Sequence, residues 1–586
     1  MPPKKTLSFQ SFEENQPNER ITSISRVKPV FENENLKYVF VSGGVISGLG
    51  KGIAAASLAM LLKNHGLKVT SVKVDMYLNI DAGTIRPQEH GEVFVTTDGE
   101  ETDQDIGHYE RFLGEKLCQE NYITTGQIYQ EVIRKERSFE YDGEDVEAIP
   151  HVTDEIIRRV NLAAAKNKAE VVIVELGGTA GELQNGLFFE ANRILKLRKP
   201  DSVVHIHVVY VPFIQSLGEL KSKPAQTSVR ILNSMGIQPD FLVARAEKNI
   251  DQRRLERLAV FCNVHPEDII NAPDLESIYD EPGVFAKQHF SQKIARKLGL
   301  PATEPDLTAW HKLTESIKNT NRTLKIAVVG KYFATGDYTL CDSYVSVVEA
   351  LKHAGWALGA KASLSWIDSE KIEKEGMGVL ENFAGIVVPG GFGRRGTEGM
   401  VAAVEFARTR KVPYLGLCYG MQMAAVEFAR HILKHPGANS TEIDDTTPDP
   451  IIHIMPDQEK KLLQKDYGGT MRLGGWLAQI KNGTLAERCY LVKADQGYYY
   501  INRENSVLIV EERHRHRFEF NNKYLEEFEK SGFTASGTSP EGQLVEVMEL
   551  KDHPFFLGTQ FHPEFQSQPL KPHPLFLGFI SACLRN

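Results

Sequence analysis

The stretch VSGGVISGLGKG, Val41 to Gly52, has the makings of a phosphate cradle, yet it departs from the common phosphate loop. That loop reads G-x-x-x-x-G-K-[ST], with the last hydroxyl on Mg²⁺. Here five residues separate Gly44 from Gly50, Lys51 is in place, and Gly52 stands where the hydroxyl should be. A metal at this loop would need carboxylates from elsewhere. A second stretch, GLCYG, sets Cys418 between Gly416 and Gly420. That is the spacing of a nucleophile elbow, in which glycines permit a strained turn that pushes the side chain out at the top of a sheet. A helix N-terminus beneath a thiol favours thiolate. A nucleophile needs a base and the base needs an orienter. Near the C-terminus, HPE supplies His562 and, two residues on, Glu564. Upstream, PGGFG (Pro389 to Gly393) offers backbone N–H groups with little side-chain obstruction, which suits an oxyanion hole.

Such groups must be positioned. KYVFVSG reads as a buried strand, IAAASLAMLLKNHG as a helix with Gly66 as its C-terminal cap, and LKVTSVKVD as a second strand. This βαβ unit places the first loop at a strand's carboxyl end and a helix N-terminus, where N–H groups and the dipole favour an anion. A ligand-free glycine turn is the plain alternative, and Lys51 weighs against it. Further strands are expected at EVVIVEL and SVVHIHVVYVP. From Pro301 to Thr323 the chain is polar and reads as a linker containing some helix. The pattern then restarts. LKIAVVGKY is a strand, and CDSYVSVVEALKHAG is a helix with Asp342 as N-cap and Gly355 as C-cap. AGIVVPGGFG is a strand into a glycine turn, and VPYLGLCYGMQMAAVEFAR is a strand, a sharp turn and a helix. The expected fold is α/β, with two doubly wound parallel-sheet domains. The first is P-loop-like and Rossmann-type at 36–300, then a linker at 301–323. A flavodoxin-like domain follows at 324–586, and a disordered tail at 1–35 precedes them all.

Composition sets the outer bounds. At 586 residues, more than one domain is required. A net charge of −9 argues against a nucleic-acid binder held by bulk charge. The six cysteines form no C-x-x-C pair, so neither a disulfide framework nor a zinc ribbon is indicated. Most read as small core residues. The apolar run Ile53 to Leu62 is too short to span a membrane, and residues 1–35 lack the apolar core of a signal peptide. A cytoplasmic protein is expected.

PGGFG, GLCYGMQ and HPE, in that order, resemble the class I glutamine amidotransferases from about Lys325 onward. That resemblance implies cleavage of glutamine through a glutamyl thioester, with Cys418 as nucleophile, His562 as general base and Glu564 as its orienter. Gly391 would give an oxyanion N–H. Gln422, Glu442 (in ANSTEI) and Arg517 (in RHRHRF) would hold the glutamine, the last two by ion pairing. The alternative for the rest of RHRHR is a solvated basic face. Tyr419 is a departure, since the family often has Leu there.

The N-terminal half resembles the CTP synthase family. The carrying stretches include NIDAGT, HGEVFV, DQDIGHYERF, TTGQIY, RKERSFEY, IPHVTDEI, VELGGTAGE and KSKPAQ. The cobyric-acid-type amidases also combine two such halves, but lack this set. The resemblance implies that Ser47, Gly48, Leu49, Gly50, Lys51 and Gly52 cradle ATP phosphates, with Asp105 and Glu175 as Mg²⁺ ligands. Asp75 would lie near the ATP, and Lys73 would be a further triphosphate contact. Lys221, Ser222, Lys223, Pro224, Ala225 and Gln226, together with Ser47, would meet UTP. Where the family reads Lys-Thr-Lys-Pro-Thr-Gln, this chain differs at two small positions. In GGTAGELQ, Glu182, Leu183 and Gln184 stand where the family has Asp-Ile-Glu facing the inhibitor CTP. The implied enzyme uses ATP, UTP, glutamine and Mg²⁺, is activated by GTP, and works as a homotetramer, with filaments open as a further assembly. No nucleic acid or membrane partner is implied. A glutamine-dependent amidoligase acting on a carboxylate, and a non-catalytic relative, are the other readings.

Overall fold

A computed structural model describes residues 34–332, 334–335, 338–339, 342–455, 458, 468–492, 502–504 and 507–586. Residues 1–33 of the expected tail, and Cys341, lie outside the described residues.

The first half folds around a seven-stranded sheet. Its order is Ile269–Pro273, Phe241–Ala246, Val203–Tyr210, Lys37–Gly43, Val171–Leu176, Val69–Asp75 and Tyr122–Thr124, parallel throughout. The central strands are buried on both faces, which is why they read as continuous Val/Ile/Phe runs rather than alternating ones. The helix Lys51–Lys63 is buried along most of its length by Ala54, Ala55, Ala56, Leu58, Ala59, Met60, Leu61 and Leu62. Its small residues let it sit tightly on the sheet. The chain leaves it through Asn64, and Gly66 turns at φ 87°.

The second half is built on a ten-stranded sheet. Five strands are parallel: Ala360–Asp368, Arg322–Gly330, Gly385–Val388, Tyr414–Leu417 and Phe556–Thr559. The sheet then continues through Val545–Leu550, Phe533–Thr538, Arg472–Ile480, Val507–His516 and Asn502–Glu504, all antiparallel to their neighbours. The expected parallel core is therefore present, extended by five antiparallel strands that sequence periodicity did not separate from it.

Two local expectations change. The helix after Tyr344 runs Val345–Ala357, while Asp342 opens a short 3₁₀ turn, Asp342–Tyr344. Gly355 lies inside that helix rather than ending it. A Cβ there would sit 2.7 Å from the Ala360 carbonyl oxygen, so glycine allows the close crossing. Within the linker, Thr308–Asn319 is a helix whose Trp310 is buried in the first core and donates to the Tyr279 carbonyl at 2.7 Å.

The two halves share their packing. Phe565 belongs to the first core and meets Phe94 with ring centroids 5.1 Å apart. Arg513 and Glu110 form a buried ion pair across the interface at 2.9 Å, with Arg513 also donating to the Val95 carbonyl. Removing either partner would strand a buried charge, at a cost of about 3–5 kcal/mol.

Candidate active sites

Cys418 sits between the strand Tyr414–Leu417 and the helix Tyr419–His431 at φ 50°, ψ −98°. Positive φ in a non-glycine residue is strained, and that strain lifts the side chain out of the sheet end. The strand Phe556–Thr559 runs parallel beside it, with Leu417 opposite Thr559. Both chains thus emerge at the same carboxyl edge, which brings HPE to the elbow. The Cys418 N–H donates to the Thr559 carbonyl at 2.6 Å, and the His562 N–H to the Arg513 carbonyl at 2.7 Å. His562 Nδ1 pairs with Glu564 Oε1 at 2.7 Å, while Nε2 is buried without a hydrogen-bond partner. Burial alone would lower the imidazole's pKa. Glu564 and then Cys418 overrule it and raise the pKa to about 10. A base held by one carboxylate, with its other nitrogen unspent beside a thiol, can take the thiol proton.

Two cavities open on Cys418. One, of about 200 Å³, is lined by Gly391, Gln422, Glu442 and Arg517 together with Tyr419 and Phe518. The three residues expected to hold glutamine and the expected oxyanion glycine therefore line one chamber. Glu442 accepts from the Gly393 N–H at 2.7 Å, and burial raises its pKa. Gln422 donates to the Phe518 carbonyl at 2.9 Å, and Arg517 to Gln458 at 2.7 Å. Tyr419 donates its hydroxyl to the Gly393 carbonyl at 3.0 Å. The other cavity, of about 60 Å³, touches Cys418, His562 and Glu564 and reaches Glu92 and Val93 of the first half.

RHRHR is no solvated face. Arg513, His514, His516 and Arg517 are buried, and Arg515 pairs with Glu101 of the first half at 2.7 Å. His514 pairs with Glu546 at 2.8 Å on the opposite side. Strand alternation sends Arg513 and Arg515 one way and His514 and His516 the other.

In the first half, Lys73 and Glu175 stand opposite each other on neighbouring strands. The Lys73 ammonium contacts Asp105, lies 3.4 Å from Glu175, 3.7 Å from Asp103 and 3.8 Å from Asp75. Burial would lower its pKa, but these carboxylates hold it well above the ordinary value. Lys73 is thus the counter-ion of an acidic cluster. Burial would raise Asp105, and Lys73 holds it low instead. Glu175 is raised by burial and by Asp105. The Gly52 position explains the odd loop: a Cβ there would lie 2.1 Å from Asp105 Oδ1. The carboxylate occupies the space that the usual hydroxyl residue would fill. Asp105 and Glu175 already converge on one cation, and the donor set is hard oxygen, so these residues fit Mg²⁺. Lys51 donates to the Gly178 carbonyl at 2.6 Å, and burial lowers its pKa.

The remaining predicted residues gather round this loop. Ser47 and Gly48 are exposed on it, Leu49 is buried and Gly50 has φ 84°. Lys221 and Ser222 lead into the helix Lys223–Ser234, where Ala225 and Gln226 are buried and Pro224 occupies the first turn. This helix meets the loop closely, since a Cβ on Gly44 would overlap Ser228 Oγ at 1.4 Å. The GGTAGELQ loop packs on the same helix at Gly181 and Ile231. Its Glu182 accepts from the Thr179 N–H and hydroxyl, at 2.7 and 2.6 Å, and so turns inward. Leu183 is 98% exposed, and Gln184 is exposed beside it.

Residues 37–300 match the family pattern described as CTP synthase N-terminus, and residues 339–582 match glutamine amidotransferase class-I. A CTP synthase of Halalkalibacterium halodurans is 48% identical over 94% of this chain and 99% of its own length. The chain belongs to the CTP synthase family. A CTP synthase of Geobacillus kaustophilus is 47% identical over 94% of this chain and 100% of its own length. The glutaminase domain of the Trypanosoma brucei CTP synthase, solved with bound acivicin, is 33% identical, with a TM-score of 0.39. It covers 45% of this chain and 94% of that one.

For a chain of the CTP synthase family, the sequence alone left several site groups unnamed. Lys331 donates to the Gly393 carbonyl at 2.6 Å and lies 4.3 Å from the Tyr419 ring centroid. Burial pushes its pKa down to about 8. Its signal was a lysine closing the strand IAVVGK. Gln560 donates to Cys418 Sγ at 3.5 Å, and nothing in its sequence context marks it. Among the described residues, no helix is long and apolar enough to cross a membrane.

Proposed function

We propose that this enzyme aminates the uracil ring of UTP to CTP, using ATP to activate the ring and glutamine as nitrogen source. One observation carries the reading. A Cys–His–Glu constellation and a carboxylate-ringed phosphate loop occupy one chain, and a cavity leads from Cys418 into the half that holds the loop.

Cys418 thiolate attacks the glutamine amide after His562 takes its proton, and Glu564 steadies the imidazolium. The Gly391 N–H stabilises the oxyanion. Gln422, Glu442 and Arg517 grip the amino-acid end. His562 returns the proton to the departing nitrogen as the tetrahedral intermediate collapses, which releases ammonia and forms the glutamyl thioester; water then hydrolyses the thioester to glutamate and the free thiol. In the first half, Ser47 to Gly52 cradle the ATP phosphates. The O4 of UTP takes the γ-phosphoryl group from ATP, leaving ADP; ammonia adds at C4 and loses a proton, and phosphate leaves. Asp105 and Glu175 would hold Mg²⁺, which when bound neutralises phosphate charge. Ser47, the segment Lys221 to Gln226 and the 182–184 loop meet the pyrimidine nucleotide. The reading extends to GTP as activator, CTP as feedback inhibitor, a homotetramer with filaments as higher assembly, and a cytoplasmic setting.

The test is the absorbance change on converting UTP to CTP in the presence of ATP, Mg²⁺ and glutamine. CTP formation is expected. Glutamine cleavage without any CTP would instead favour an amidoligase acting on a carboxylate.

Feedback by CTP gives a finer expectation. Gln184 replaces a family carboxylate, and Glu182 is turned onto Thr179. One charge-assisted bond reduced to a neutral one is worth about 1–2 kcal/mol. Gln184→Glu should therefore tighten CTP inhibition at fixed UTP by roughly five- to thirtyfold. Unchanged or weaker inhibition would remove this loop from the account.

A further inference from the structure

The helix Val345–Ala357 begins beside the amidotransferase site, yet its N-cap residue makes no side-chain capping bond and its first turn carries no acid. Unmet N–H groups at a buried helix start are costly, and a carboxylate is the natural partner. The partner comes from the other half of the chain. Ser346 N–H lies 3.1 Å from both Oε1 and Oε2 of Glu92, and the Ser346 hydroxyl also donates to Oε2. The Glu92 N–H donates to the Asp342 carbonyl at 3.0 Å, and Arg111 donates to the Ser346 hydroxyl at 3.3 Å. Glu92 is 7% exposed, and it lines the same cavity as Cys418, His562 and Glu564. One side chain thus caps a helix of the second half and walls the cavity that opens on the nucleophile.

We propose that Glu92 is a positioning residue that couples the two reactions: it fastens the amidotransferase helix to the synthetase half and keeps the wall between them sealed, so that ammonia passes inward rather than to solvent. This rests on the proposed amination of UTP. The hydrogen bonds of Glu92 go to Ser346 and Asp342 rather than to Cys418 or the carboxylates around Lys73, although its carboxylate lies within electrostatic reach of Glu564. Loss of its carboxylate should loosen the seal without removing a reacting group.

The experiment supplies glutamine of natural isotope content together with ¹⁵N-ammonium in bulk, and reads the isotope at N4 of the CTP formed. Glutamine hydrolysis and ammonia-dependent synthesis are measured separately. In Glu92→Ala, both half-reactions should persist. The CTP made per glutamate released should fall roughly fivefold or more, the scale of a typical coupling between sites. Bulk ¹⁵N in the product should rise correspondingly. Glu92→Gln retains an acceptor for Ser346 and should fall between the two. Ser346→Ala, which deletes only the hydroxyl partner, should leak in the same direction and serves if Glu92→Ala does not fold. An unchanged CTP-to-glutamate ratio and unchanged isotope content, with both half-reactions intact, would overturn the proposal. So would loss of glutamine hydrolysis itself, since Glu92 would then act on the triad. Absence of CTP from either nitrogen source in the unaltered enzyme would instead strike the proposed function.

Discussion

Cys418→Ala is expected to abolish glutamine-dependent CTP formation, by roughly 10⁴-fold or more, while synthesis from added ammonia continues. In the proposed reaction the thiolate serves only the release of ammonia. Cys418 sits at the carboxyl edge of the second sheet, and the phosphate loop at that of the first. The substitution is sterically mild. The residue is 5% exposed, and Ala keeps the Cβ while removing only the sulfur. The strained φ of 50° is retained, so the elbow should fold as before. The measurement is CTP formation with each nitrogen source, alongside glutamate release. Equal loss with glutamine and with ammonia would show that the two chemistries are not separable, and the two-site reading would fall.

Lys51→Ala is expected to remove both activities, by roughly 10²- to 10³-fold. Charge builds on the transferring phosphoryl group, and a fixed cation in a buried site stabilises it. In the proposed reaction Lys51 is that cation: it opens the helix Lys51–Lys63, and its ammonium reaches the Gly178 carbonyl. Glutamine hydrolysis in the absence of nucleotides supplies the control, since no Lys51 atom lines either cavity at Cys418. It should survive. Ammonia-dependent turnover that remains near the unaltered level would mean that this loop does not hold ATP.

The turns that carry both candidate sites were legible along the chain because their signals are local. A strand, a glycine turn and a helix start are contiguous in VSGGVISGLGKG and again in GLCYG, and short-range sterics dictate what such turns do. Runs of Val, Ile and Phe marked the buried parallel strands for the same reason. What escaped depended on contacts between distant residues. Gly52 looked like a missing metal ligand until Asp105, 53 positions on, was seen to fill its space. The carboxylates around Lys73 were also out of sight, because strand register sets it opposite Glu175 within an acidic cluster. RHRHR carried two possible meanings, and only the partners Glu110, Glu101 and Glu546 from separate elements decided between them. The antiparallel extension was invisible because half-buried strands of either direction share one periodicity. The sequence by itself determined which residue types stand at the turns, and hence the two chemistries. Tertiary structure alone decided how charges pair across the two halves, because pairing energy depends on distances that chain order does not encode.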